Sequence, residues 1–174
     1  MKYFIADTHF GHTKILSMSK RPFDTISDHD AALIKNWNNV VKKDDEIYIL
    51  GDFAMSTSGY HVSNILKRLN GRKYLIKGNH DKYLDDPDFD HSVFEWEKDY
   101  HTFNYRKRKF VLCHYPILEW EGFYRGAVHL YGHVHNNNRQ FFDSVLDKRA
   151  ANVGVDVIGF TPVSIDSILT KITK

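Results

Sequence analysis

Cysteine is nearly missing from the 174-residue chain, Cys113 being the single one. One thiol excludes an internal disulfide and any thiolate-bound zinc cluster. Proline is scarce at 4 residues, and no low-complexity linker or internal repeat divides the chain. No apolar run approaches the roughly 20 residues that a membrane span requires. Met1 to Asp7 lacks a basic region leading into a long apolar stretch, so it does not read as a signal peptide, and the expected location is cytoplasmic. There is little excess of charge either. With 24 Lys and Arg against 22 Asp and Glu, the formal net charge of +2 gives no strong reason to bind nucleic acid or a membrane nonspecifically.

Histidine, by contrast, is plentiful at 11 residues. It is the commonest metal ligand and the side chain that titrates near neutrality. The remaining composition, 42% hydrophobic and 26% charged, is ordinary for a globular protein. The length suits one domain, residues 1–174, with a full core.

Short apolar runs of strand length recur, and most lead into a polar, metal-capable residue. Tyr3 to Ala6 runs into Asp7, and Ile47 to Leu50 runs through Gly51 into Asp52. Tyr74 to Ile76 runs through Lys77 and Gly78 into Asn79, Phe110 to Cys113 into His114, and Val128 to Tyr131 through Gly132 into His133. Such runs, rich in branched and aromatic residues, suit strands buried on both faces.

Helical patterns lie between them. Ser27 with Asp30 resembles a capping box ahead of Leu33, Ile34, Trp37, Val40 and Val41 at helical spacing. Val62, Ile65, Leu66 and Leu69 form a second stripe, closed by Asn70-Gly71 as a left-handed cap, and a short first helix is expected over Thr13 to Ser19. Alternating strands and helices imply an α/β fold. From Phe94 onward strand-like runs dominate, which predicts a more antiparallel second half. Lys82 to Asp90, acidic and containing Pro87, reads as a long surface loop, and Arg106 to Lys109 as a hairpin turn.

In open α/β sheets, functional groups collect beyond the carboxyl ends of the strands. Five strand ends here carry metal-capable residues. Taken singly, each has an ordinary reading beside the functional one. Asp7-Thr8-His9 places a carboxylate and an imidazole two apart, pointing the same way, or simply caps a turn. Gly51-Asp52 offers a carboxylate able to bridge two cations, or a tight turn. Gly78-Asn79-His80-Asp81 supplies an amide oxygen with an adjacent imidazole, or another turn. His114 is a ligand or a core histidine, and Gly132-His133-Val134-His135 is a ligand pair or a solvated loop. Jointly, Asp7, His9, Asp52, Asn79, His114, His133 and His135 provide enough donors for two ions sharing one carboxylate.

This ordered set resembles the calcineurin-like metallophosphoesterase superfamily. Its motifs are matched by Asp7-x-His9, Gly51-Asp52, Gly78-Asn79-His80-Asp81, His114 and Gly132-His133-x-His135, with no ligand missing, and the small size is similar to the short bacterial and phage branch. The resemblance implies two β-sheets packed face to face with helices outside, a four-layer α/β (α+β) sandwich. It also implies one metal on Asp7, His9, Asp52 and His135 and a second on Asp52, Asn79, His114 and His133. Two such ions, roughly 3.5–4 Å apart, would share a bridging water and lower its pKa to supply hydroxide.

His80, beside a ligand but without a ligand role, is the expected catalytic acid for the leaving alkoxide, with Asp81 either orienting it or facing solvent. Ligation by nitrogen and oxygen suits manganese, iron or zinc, with manganese favoured by the carboxylate and amide oxygens. His12 and Arg21 are candidate substrate contacts, although surface placement is the ordinary reading of Arg21. Tyr115, Trp120, Phe123 and Tyr124 either stack a base or pack in a loop, and Asn152 and Asp156 either back the site or form a turn.

The expected function is hydrolysis of a small nucleotide-like phosphodiester. A phosphomonoesterase is the nearest alternative. A nuclease, supported only by Arg106 to Lys109, and a non-catalytic interaction scaffold are more distant ones. A scaffold has no need of seven ligands plus His80. The expected partner is a small phosphoester.

Overall fold

A computed structural model describes residues 1–56 and 58–172. Nine strands and six α-helices are described among them. The strands are β1 (Lys2–Ile5), β2 (Glu46–Leu50), β3 (Arg72–Ile76), β4 (Trp96–Lys98), β5 (Tyr100–Tyr105), β6 (Arg108–Cys113), β7 (Val128–Tyr131), β8 (Ala150–Asn152) and β9 (Val163–Ser164). The helices are α1 (Ile15–Met18), α2 (Ile26–Val40), α3 (Gly59–Lys67), α4 (Arg139–Val145), α5 (Val155–Ile158) and α6 (Ile165–Ile172).

The first sheet has the order β4-β3-β2-β1-β9, with β1 to β4 parallel and β9 antiparallel to β1. The second has the order β5-β6-β7-β8. Alternation along each strand divides the core into layers. Ile5, Ile47, Ile49 and Leu75 pack with Leu33 and Trp37 of α2 and Val62 and Leu66 of α3. Their neighbours Phe4, Tyr48, Leu50 and Ile76 face Phe110, Leu112, Val128 and Leu130 of the second sheet. The outer face of that sheet is covered by the 115–127 loop, where Trp120 and Ala127 pack on Val111. The architecture is thus two mixed sheets face to face, flanked by helices, with a loop as the fourth layer.

Three local expectations are corrected. Only β5 and β6 of the second sheet are antiparallel, whereas β6, β7 and β8 run parallel. The cap of α2 is Thr25, whose hydroxyl accepts the Asp28 N–H at 3.1 Å, two residues before the expected Ser27. Asp30 is drawn elsewhere, accepting the Gly11 N–H at 3.0 Å and meeting His29 Nδ1 at 2.7 Å. Lys82 to Asp90 is not a free surface loop, because Tyr83 and Phe89 are buried in the core beneath α3 and Lys82–Asp85 forms a 3-10 turn. The hairpin at Arg106 and Lys107 is present, both residues having positive φ.

Candidate metal centre

Strands β1, β2, β3, β6 and β7 deliver the seven expected donors to one edge, where the sheets meet. Beyond Ile5 the chain continues to pair with the segment after β2: the Asp7 N–H donates to Gly51 O at 3.0 Å, and the His9 N–H to Asp52 O at 3.0 Å. The second sheet is fastened at the same place. The His133 N–H lies 2.9 Å from both carboxylate oxygens of Asp7, and the Ala6 N–H donates to Val153 O at 2.9 Å.

Two groups of donors result. Ligand-capable atoms of Asp7, His9 and His135 lie within 4.8 Å of one another, and so do those of Asp52, His114 and His133. Asp52 stands between them, its Oδ2 being 3.7 Å from His9 Nε2 and 3.5 Å from His114 Nε2. The Asn79 amide oxygen joins the second group, 3.1 Å from His114 Nε2.

Backbone strain collects here. Asp7, His9, Asp52, His133 and His135 all have φ between 50° and 69°, making five of the ten non-glycine residues with positive φ among those described. Non-glycine residues take this region rarely, and such clusters accompany functional sites. Two glycines make the close approach possible. A Cβ on Gly132 would come within 2.5 Å of Ala6 Cβ and 2.7 Å of Asp7 Oδ2, and one on Gly51 within 2.5 Å of His114 Nδ1 and 2.7 Å of the Gly78 backbone.

Two of the rings, His114 and His135, are each held by a contact at Nδ1. His114 Nδ1 is 2.7 Å from Leu50 O, an acceptor that holds a proton on Nδ1 and turns Nε2 towards Asp52 and Asn79. Burial pushes the Asp7 carboxyl up to about 6, despite nearby His135 and His114 and the His133 N–H, which lower it. Burial also raises Asp52, but its contacts with His114 and the His80 N–H outweigh that and hold it down at about 2. Burial drives His9 down to about 3.

These groups fit a cation. His9 Nε2 is buried without a hydrogen-bond partner, which is costly for an acceptor unless something electropositive shares the space. Among the described residues, the ligand-capable groups around it are oxygen and imidazole nitrogen donors, the chemistry suited to divalent transition ions.

The other expected residues divide. His80 lies at the site, its ring centroid 5.7 Å from that of His9 and its N–H donating to Asp52 Oδ1 at 2.8 Å. His12 is adjacent, with Nδ1 3.3 Å from His9 Nδ1. Tyr115, half exposed, packs edge-on against both His114 and His133. It lines a groove with Lys77, Asn79 and Lys82. Trp120 is buried, donating to Ala127 O, and is unable to stack a base.

Arg21 is neither a surface residue nor available to a substrate. It is buried, and all five of its N–H groups are taken by Asp156, His29 and the carbonyls of Asp7 and Thr8. Asp81 is also buried. It accepts the N–H groups of Asp52, Phe53 and Gly78, which occupies it in shaping the turns. Asp156 backs the site by accepting from His135 Nδ1 at 2.8 Å. His29 and Asp30 join the same network with no sequence signal, since both sit within an ordinary amphipathic helix.

The chain is 36% identical over 174 residues to the uncharacterized protein MJ1445 of Methanocaldococcus jannaschii, covering 99% of this chain and 91% of that one. It is 29% identical over 180 residues to the gene 66 protein of Mycobacterium phage D29, covering 88% and 87%. Among solved structures, the protein of unknown function AQ665 from Aquifex aeolicus superposes with a TM-score of 0.78 at 27% identity, over 98% of both chains. Residues 2–155, which carry all seven donors, match the model of the calcineurin-like phosphoesterase superfamily domain, and the chain belongs to that superfamily.

Proposed function

We propose that the protein is a dinuclear-metal phosphodiesterase acting on a small nucleotide-like substrate. One ion would be held by Asp7, His9, Asp52 and His135, and the other by Asp52, Asn79, His114 and His133. The observation that carries this reading is the placement of Asp52 Oδ2, within 3.7 Å of His9 Nε2 and 3.5 Å of His114 Nε2. Bound there, two divalent cations supply Lewis-acid charge and activate water near neutral pH. Manganese is favoured, with iron and zinc as alternatives, because oxygen donors are present in both groups.

The chain's own groups do the rest. His80, fixed through its N–H to Asp52, carries the proton for the leaving oxygen. His12 contacts the substrate phosphate, and the groove at Tyr115, Lys77 and Lys82 receives the ester group. Arg21, spent on Asp156, His29 and two carbonyls, adds no guanidinium to that groove, so a diester, with one charge fewer than a monoester, asks less of its lysines. A nuclease is disfavoured. The basic run starts β6 while His114 follows its end, about 20 Å away along a six-residue strand, and Arg106 is paired with Asp166.

The test is metal analysis of the purified protein combined with hydrolysis of bis-p-nitrophenyl phosphate and p-nitrophenyl phosphate in Mn²⁺. Two ions per chain and faster diester turnover are expected, with both lost in Asp52→Asn. Full activity of Asp52→Asn after metal stripping would exclude the shared-carboxylate centre, and faster monoester turnover would reverse the substrate preference.

A further inference from the structure

Arg21 and Asp156 are a buried ion pair lying 135 residues apart in sequence, their side chains 0% and 2% exposed. Such a pair must overcome a large desolvation cost, and hydrophobic replacements are often as stable. Its geometry here is directed at the centre. Arg21 Nε and Nη2 donate to the two oxygens of Asp156, both at 2.9 Å. Nη2 also donates to Asp7 O at 2.7 Å and Nη1 to Thr8 O at 2.9 Å. These carbonyls belong to the turn in which Asp7 and His9 have φ of 57° and 53°. The last donor meets His29 Nε2 at 2.8 Å, while His29 Nδ1 meets Asp30, which also accepts the Gly11 N–H beyond the same turn.

Asp156 Oδ2 has a second task, 2.8 Å from His135 Nδ1. A carboxylate only accepts, so the His135 proton lies on Nδ1 and Nε2 is left bare. Asn152 completes the arrangement, donating to His135 O at 3.0 Å and accepting the Gly154 N–H at 2.7 Å just before α5.

We propose that Arg21 and Asp156 are positioning residues that form one clasp, fixing the tautomer and ring plane of His135 and the left-handed turn of Asp7 to His9. This rests on the two-ion reading above. The ion held by Asp7, His9 and His135 then depends on two side chains outside its donor set, whereas the ion on Asp52, Asn79, His114 and His133 does not. Lysine is no substitute for Arg21, because an ammonium concentrates its donors at one point and lacks the planar fork.

Titration of metal-free protein with Mn²⁺ tests the clasp. Wild type is expected to bind two ions. Asp156→Asn, which keeps the shape and removes the charge, is expected to weaken one of them by roughly 10–100-fold and leave the other unchanged, and Arg21→Lys to show the same one-sided loss. Equal affinity for both ions in wild type and Asp156→Asn would overturn the clasp. Absence of bound ions in wild type would instead remove the metal reading, and the affinity claim with it. Long-range ¹H–¹⁵N spectra of metal-free wild type decide the orientation independently, even where a variant does not fold. The Nδ1–H form of His135 is expected, and an Nε2–H form would overturn the proposal.

Discussion

No hydrogen bond among the described residues fixes the ring of His80, whose main-chain N–H is tied to Asp52 and whose carbonyl accepts the Lys82 N–H. Its ring lies 5.7 Å from that of His9, beside the donor set yet outside it, a placement that suits a proton donor. His80→Ala is therefore expected to slow esters with alkyl leaving groups by about 10²–10⁴-fold. p-Nitrophenyl esters, whose leaving group departs unprotonated, should change little. Equal losses on both substrates would remove His80 from that role. His129 is a histidine of the opposite kind. It is buried, accepting the Ile117 N–H on Nε2 and lying 3.2 Å from Val111 O through Nδ1. Burial lowers its pKa below the ordinary 6.5, partly offset by its contacts with Val111 O and, through Nε2, with Tyr115 O at 3.2 Å. The unfolded chain then takes up a proton that the folded chain resists, so this contribution to stability is complete above pH 6.5 and is lost as pH falls below it. Urea midpoints measured from pH 7.5 to 5 should decline, and less steeply in His129→Gln. At this scale the seven candidate donors were legible because five of them follow apolar runs, and His9 and His135 stand two residues beyond Asp7 and His133. Arg21 was not, since its partner Asp156 is 135 residues away and local polarity around Arg21 resembles a surface.

Among the elements, α2 offers a controlled comparison. The spacing of a hydroxyl residue three before an aspartate occurs twice, at Thr25/Asp28 and Ser27/Asp30, and spacing alone does not choose between them. The tertiary structure does, because Asp30 is needed by Gly11 and His29. Thr25→Ala should cost about 1 kcal/mol in equilibrium denaturation, as loss of an N-cap does. Ser27→Ala, inside the helix, should be neutral or slightly stabilising, and a larger loss there than at Thr25 would restore the sequence-based cap. Strand direction in the second sheet was similarly hidden. Between β6 and β7 the chain crosses by a loop carrying only the short 3-10 turn Phe123–Arg125, not by a patterned helix, so the usual sign of a parallel connection was lacking. β1, β2 and β3 were readable because α2 and α3 show their stripes between them.

For the molecule as a whole, the donors come from both sheets. Asp7, His9, Asp52 and Asn79 follow strands of the first, and His114, His133 and His135 follow strands of the second. Ions bound by the folded chain alone stabilise it by mass action, by about 2.7 kcal/mol at a concentration 100 times the dissociation constant. Chelation should lower the melting temperature of wild type and have a smaller effect on Asp52→Asn. Identical shifts in the two proteins would argue against binding at this centre.

The hydrogen bonds from the His133 N–H to the Asp7 carboxylate have a consequence for how the vessel is filled. They join a side chain of one sheet to the backbone of the other, so main-chain geometry fixes the gap between the donor groups before any guest arrives. Such a preformed cradle is expected to tolerate a misfit in ionic radius poorly, with a loading rate that follows the exchange of water from the incoming cation instead of any refolding of the chain.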